Sequence, residues 1–147
     1  MLRAAMDARA YLAEDGPAPD PDAALAGYID AGLLPAAPTE RADYVDYYRA
    51  APEARFLGYP LLAVESETVR GPWLGCCVMD GLAVVVRTEG EDGALEAFAA
   101  ANACRISRTG DWRLDTYATL GMAFVDPADA SLRHLSCRDT DAQGIGS

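Results

Sequence analysis

Apolar and polar positions divide this chain into two parts with different periodicity. Up to about residue 55, apolar residues recur at helical spacing between Pro-rich turns. From about residue 56, the pattern changes to β-branched runs with partial alternation, interrupted by Gly-Pro and Asp-Gly pairs. These patterns predict one α+β domain over residues 1–147, with three segments: a helical segment (1–55), a sheet plus helix (56–137) and a frayed tail (138–147).

The first part predicts an N-terminal helical segment of about three short helices. Residues 2–14 form the first of them, rich in alanine and leucine. The second begins at Pro21 after an aspartate N-cap and ends near Ala31, with Gly32 in a left-handed conformation. Thr39 is the N-cap of a third helix across ERADYVDYYRAAPEA.

The second part predicts a mostly antiparallel sheet. GYPLLAVESETVR (58–70) favours a strand because of its β-branched residues. An Asp-Gly pair between two apolar runs is a strong hairpin signal, so residues 73–79 are expected to pair with 82–88. Three shorter segments are also expected to be strands: 105–108, 112–118 and 121–125.

Two helices are expected within or after this sheet. Residues 92–104 place Leu95, Phe98 and Ala99 on one face, which predicts a helix packed on the sheet. Pro127 opens a short terminal helix that runs through residue 135. The predicted order is three helices, three strands, one helix and three strands, which favours an α+β fold.

The net charge of the chain makes some classes of binding partner less favourable than others. The net charge is −11, with 12 acidic residues in 1–70 and 11 in 71–147. No basic cluster could neutralise phosphates, which disfavours direct binding to nucleic acid or anionic lipid. A basic protein partner fits this charge better. All 12 basic residues are arginine, a bias typical of a high-GC bacterium or its phage.

The chain contains no sequence signal for export or for a membrane span. MLRAAMDARAYLAEDG has charged residues and no continuous apolar core, so no signal peptide is predicted. No run of about 18 apolar residues occurs. A cytoplasmic location is therefore expected, with no membrane association.

The four cysteines are expected to be structural. Cys76 and Cys77 are adjacent in a strand-like apolar run, so their side chains point to opposite faces and behave as small buried hydrophobes. Cys104 and Cys137 are not expected to form a disulfide in a cytoplasmic chain of this size. No Cys-x-x-Cys motif occurs, and His134 with Cys137 is too small a set for a metal site. We expect no metal and no cofactor.

The sequence also lacks a catalytic signature, which favours a non-enzymatic role. Glu65 and Glu67 share one side of a predicted strand, and an exposed strand face explains them more simply than a paired-carboxylate site. No phosphate loop and no nucleophile-elbow motif occurs. One alternative is a small enzyme or ligand-binding domain with a pocket near His134. The aromatic candidates for lining that pocket are Trp73, Trp112 and Tyr117.

The stretch DYVDYYRA is the best candidate for a recognition surface. On a helix, Val45 and Tyr48 would face inward, and neighbouring acids and tyrosines would face water. The predicted partner-binding residues are Asp43, Asp46, Tyr44, Tyr47 and Tyr59. We therefore expect a small acidic intracellular protein-binding module, such as an inhibitor or immunity-type protein that blocks a basic partner. The other alternative is a structural subunit of a larger bacterial or phage assembly.

Overall fold

The computed structural model of the protein describes residues 21–42, 45–67 and 81–137. Within these ranges the chain forms three helices and seven strands. Their order is α1 (Pro21–Asp30), β1 (Glu40–Ala42), β2 (Val45–Arg49), β3 (Arg55–Phe56), β4 (Tyr59–Glu67), β5 (Gly81–Arg87), α2 (Gly93–Asn102), β6 (Arg105–Ser107), α3 (Trp112–Thr119) and β7 (Leu132–Ser136).

The described strands form one sheet in the order β1-β2-β4-β5-β7-β6, with β3 paired to β4. Every pairing is antiparallel. The α+β class with a mostly antiparallel sheet is confirmed. Residues 82–87 pair with β4 on one side and with β7 on the other. The expected pairing of 82–88 with 73–79 is thus replaced, and residues 73–79 themselves lie outside the described residues.

Helices cover both faces of the sheet, so its central strands are buried on both sides. Leu82, Val84 and Val86 of β5 pack in the same core as α1 and α2, while Val85 packs in the core that includes α3. A strand buried on both faces has consecutive apolar residues instead of alternation. The predicted α2 is confirmed, with its predicted apolar face buried.

The predicted N-terminal helical segment is only partly supported. α1 ends as predicted, with Gly32 at φ +75°. The helix predicted over 2–14 lies outside the described residues. The helix predicted after Thr39 is wrong, because β1 and β2 occupy that stretch. Val45 and the tyrosines of β2 are β-branched or aromatic and pack on both faces of the sheet. Pairing with β4 outweighs their helical spacing.

Two predictions in the C-terminal third are also wrong. Residues 112–118 lie in α3, whose N-cap Asp111 accepts a hydrogen bond from the Arg113 backbone N–H at 3.0 Å. Residues 121–125 contain no strand. The helix expected from Pro127 is replaced by β7, which is buried along its whole length. The strand predicted over 105–108 is confirmed as β6.

A disulfide joins Cys104 to Cys137, so the expectation that these cysteines stay unpaired is wrong. Arg105 pairs with Ser136 in the β6–β7 ladder, and the two cysteines flank that pair with their Cα atoms 4.4 Å apart. Disulfides are typical of oxidising compartments. The cytoplasmic location therefore stays an untested prediction, and Cys76 and Cys77 lie outside the described residues.

Replacing Cys104 and Cys137 together by alanine is expected to lower the free energy of unfolding by about 3–4 kcal/mol. The disulfide spans 33 residues, and cross-linking such a loop removes entropy from the unfolded chain. Urea unfolding of both proteins measures the difference. Reduction of the wild type should give the same loss. Equal unfolding midpoints with and without reductant would contradict the expectation.

A charged network fixes the start of α2 to β7. Asp92 accepts hydrogen bonds from the Thr88 hydroxyl, from Arg133 Nε at 2.9 Å and from Arg108 Nη2 at 3.2 Å. The pKa of Asp92 is lowered, mainly by the hydrogen bond from the Thr88 hydroxyl. Burial of the carboxylate raises this pKa, and the hydrogen bonds and charges of the two arginines lower it further. Arg133 also donates to two backbone carbonyls, which holds its guanidinium in place.

This network predicts a specific loss of stability in acid. Because folding lowers the pKa of Asp92, its contribution is present above the unfolded-state value near 3.8 and is lost as the pH falls through the lower folded-state value. Asp92→Asn should lower the free energy of unfolding by about 3 kcal/mol at neutral pH. The free energy of unfolding of this variant should also fall less steeply than that of the wild type as the pH is lowered. Urea unfolding across the acid range tests both effects. Asp30→Asn, at an exposed site, is the control and should leave the acid limb unchanged.

Candidate functional site

A buried polar cluster lies on the α3 side of the sheet. His134 Nε2 of β7 is 2.8 Å from Glu65 Oε2 of β4, and the Tyr117 hydroxyl of α3 donates to the same oxygen at 2.7 Å. Glu65 is 4% exposed, and His134 and Tyr117 are 0% exposed. The expectation that Glu65 lies on an exposed strand face is therefore wrong. The structure brings together a carboxyl, an imidazole and a phenol that are far apart in sequence.

The contact between Glu65 and His134 passes over the strand between them. β5 separates β4 from β7, so their backbones lie about 10 Å apart. Ala83 is the β5 residue opposite Glu65. Its single methyl group leaves room for the glutamate to extend across β5. His134 lies opposite Val85 on the same face and meets the carboxylate there.

α3 closes the cluster with aromatic packing. The Tyr117 ring makes edge-on contacts with Tyr47 and Phe124, at centroid distances of 5.5 and 6.1 Å. Tyr47 is also the residue opposite Glu65 in the β2–β4 register. The carboxylate is therefore surrounded by groups that limit its movement. Such edge-to-face ring contacts stabilise by about 0.5–1.5 kcal/mol each beyond the area they bury.

The geometry of the cluster favours positioning over catalysis. An ionised Glu65 accepts from the tyrosine and from the His134 Nε2–H, which satisfies the buried charge. A general base must reach its substrate, and His134 is fully buried. Within the described ranges, no group of three or more His, Cys, Asp and Glu side chains could hold a metal ion.

Of the residues expected to line a pocket near His134, the structure places only Tyr117 beside it. Trp112 is 64% exposed, and its ring lies 4.7 Å from the Arg113 guanidinium. It therefore stands apart from the cluster. Trp73 lies outside the described residues.

Tyr117→Phe is expected to lower the free energy of unfolding by about 2 kcal/mol. The change removes a hydrogen bond to a buried charged group, and such bonds contribute about 1.5–3 kcal/mol. Chemical denaturation measures the effect. Tyr28→Phe, on the opposite face of the sheet, is the matched control and should change stability by less than about 0.5 kcal/mol. Equal effects of the two substitutions would show that the hydroxyl of Tyr117 contributes nothing specific.

The three predicted partner-binding residues that the structure describes, Asp46, Tyr47 and Tyr59, do not form one patch. Asp43 and Tyr44 lie outside the described residues. Asp46 is half-buried, with Oδ1 3.3 Å from Arg41 Nε. Tyr47 is only 7% exposed, so its predicted orientation toward water is wrong. In β2, consecutive tyrosines point to opposite faces, and both faces are covered.

Tyr59 lies far from Asp46, at the other end of β4. Asp46 pairs with Ser66, and seven residues of extended strand separate Ser66 from Tyr59, about 23 Å. The Tyr59 hydroxyl donates to the Glu91 backbone carbonyl. Of the predicted residues, Tyr59 is thus the one that the structure places beside an acidic segment.

This acidic segment borders a shallow groove, and together we name them the acidic groove. The exposed acids of this segment are Glu89 and Glu91, at the connection into α2. The groove has a volume of about 620 Å³. The residues that line it are Leu57, Gly58, Ala94, Ala97, Phe98, Ala101 and Asn102. Glu96 lies on the other side of α2, 3.8 Å from Arg108 Nη2.

A second groove, of about 690 Å³, lies where β2 ends and β4 begins. It is mostly apolar and contains Arg49, Arg87 and Phe124. The Arg49 guanidinium lies 5.1 Å from the centroid of the Phe124 ring, and Arg87 pairs with Asp129 at 3.1 Å. His134 is not among the residues that line this groove.

Comparisons of the chain with protein-family models, with curated proteins and with solved structures found no match. Among the residues that the structure describes, none of the helices has the length and apolar character needed to cross a bilayer.

Proposed function

We propose that the protein is an acidic protein-binding module that docks a basic segment of a partner protein in the acidic groove and thereby blocks that partner, as an inhibitor or immunity-type protein does. The observation that carries this proposal is the placement of two exposed carboxylates, Glu89 and Glu91, in the segment that leads into the groove-lining face of α2. Apolar side chains such as Leu57 and Phe98 in the groove, with charged residues around them, match the usual anatomy of a protein interface.

The distribution of arginines supports an acidic partner-facing surface. Five arginines are in ion pairs with carboxylates of the described fold: Arg41, Arg87, Arg108, Arg113 and Arg133. Most of the arginines in the described ranges are therefore neutralised locally. The net charge of the chain is −11. Exposed acidic side chains would steer a basic partner toward the surface and raise its association rate.

The two parts of the acidic groove would recognise different features of a partner. Leu57 and Phe98 would bury an aliphatic side chain, because apolar burial supplies most of the favourable free energy of association. The rim carboxylates would pair with lysine or arginine on either side of that side chain. The small side chains of Ala94 and Ala97 leave the surface of α2 open to close approach.

The alternatives have less support from the described residues. A small enzyme or ligand-binding domain with its pocket near His134 requires access to that side chain, which is fully buried. A structural subunit requires an extended exposed apolar patch. Within the described ranges, Trp112 is the exposed large hydrophobic side chain, and one residue does not form such a patch.

The test is affinity capture from lysate of the source organism with three matched baits. The wild type is compared with Glu89→Gln/Glu91→Gln and with Asp30→Asn/Asp115→Asn, which removes the same charge at exposed sites elsewhere. A basic protein that is retained by the wild type and the control, and lost from the groove variant, is the expected result. Equal capture by all three baits, or no capture, would contradict the proposal.

A fourth bait separates the groove from charge alone. Ala97→Trp fills the apolar floor from an exposed helical position and keeps every rim carboxylate. It should weaken binding of the captured partner at least about tenfold. The affinity of the wild type should also fall steeply as salt increases, because exposed charge pairs are screened.

A further inference from the structure

Three buried side-chain polar atoms without a hydrogen-bond partner lie together at one edge of the sheet. They are Arg105 Nη1, Ser107 Oγ and His134 Nδ1. One more such atom occurs among the described residues, Asp46 Oδ1, but it lies near Arg41 on another strand pair. Buried polar atoms are rarely left without a partner, because each costs about 1–3 kcal/mol. Three of them at one place therefore need an explanation.

The β6–β7 register places these three atoms on the same face. Ser107 lies directly opposite His134, so their Cβ atoms are about 5 Å apart. Arg105 is two residues before Ser107 and points the same way. This is the α3 side of the sheet, which also carries Val85 and Leu132. β6 is the edge strand, and Arg105 is only partly buried, which places the three groups near the surface.

The chemistry of Arg105 and Ser107 is that of an anion site. A guanidinium has only N–H donors, and a serine hydroxyl donates one hydrogen. Glu65 holds the Nε2 side of His134 at 2.8 Å, so this ring stays beside the two donors. Arg105 Nη1 is buried without a hydrogen-bond partner, and an anion would supply one.

The nearby charges are compatible with this assignment. Glu65 and Asp111 are the carboxylates that interact electrostatically with His134. Glu65 is occupied by His134 and Tyr117. Asp111 is occupied by the backbone N–H and the guanidinium of Arg113, at 3.0 and 3.3 Å. Glu65 and Asp111 are therefore not partners of the Arg105 Nη1 and Ser107 Oγ atoms.

We propose that Arg105 and Ser107 bind a small monovalent anion of halide size, such as chloride, beside His134 and between the β6–β7 edge and α3. One spherical anion accepts from both donors and balances the guanidinium charge, whereas a water molecule would satisfy the hydrogen bonds and leave the charge. The burial of His134 excludes larger anions. This site is independent of the proposed docking function, because no residue of the acidic groove takes part.

The experiment uses the single histidine of the chain. In ¹⁵N-labelled protein, both imidazole nitrogens belong to His134, so their resonances report this site without overlap. Sodium chloride replaces sodium gluconate at constant ionic strength. The expected result is a saturable shift of the His134 nitrogens, with a rise in Tm over the same concentrations. Arg105→Gln and Ser107→Ala should each weaken the response at least about tenfold.

Arg41→Gln is the matched control, because it removes the same charge from an exposed arginine and should leave the chloride response unchanged. An absent halide response, together with an unchanged or higher Tm for Ser107→Ala, would overturn the proposal in favour of an unoccupied or water-filled site. If Arg105→Gln fails to fold, wild-type crystals soaked in bromide test whether an anion binds at this site. An anomalous peak between Arg105 and Ser107 supports the site, and its absence overturns it.

Discussion

The contact between Glu65 and His134 constrains the rest of the fold. A buried carboxylate is tolerated only when donors meet it, and its donors come from β7 and α3. The contact can form only if β5 lies between β4 and β7 and places a small residue, Ala83, opposite Glu65. A slip of β4 by one residue would turn Glu65 toward the apolar core under α1 and α2. One polar contact therefore selects the strand order, the register and the position of α3.

Burial of the sheet on both faces also determined which elements could be predicted from sequence. α1, β4, α2 and β6 were predicted because caps, turns and helical periodicity are local signals. β2 and β7 were missed because their apolar residues have helical spacing as well: Val45 and Tyr48, and Leu132 and Leu135, are each three residues apart. Such a pair fits a helix and a doubly covered strand equally well. α3 was missed because residues 112–118 were expected to form a strand, although Asp111 is an N-cap.

The site was less accessible to sequence reasoning than the fold, because it depends on non-local pairing. Tyr117 and His134 were chosen as neighbours from their residue types alone, but Glu65 was assigned to solvent. Its burial follows only once β7 is known to be a strand beside β5. The disulfide was rejected because of the expected cytoplasmic location. With β7 assigned to a helix, the β6–β7 ladder that brings Cys104 beside Cys137 could not be used to correct that expectation.

α2 connects the core of the protein to its candidate docking surface. Its inner face buries Leu95 and Ala99 in the core, while its outer face has small side chains beside exposed acids. The Asp92 network fixes the N-terminal end of this helix to β7, so the rim carboxylates are held in place before any partner arrives. Preorganisation of this kind reduces the entropy that binding would otherwise cost. Local ion pairs of the described arginines, several of them at the surface, therefore leave the exposed carboxylates of Glu89 and Glu91 as the charge that a basic partner would meet.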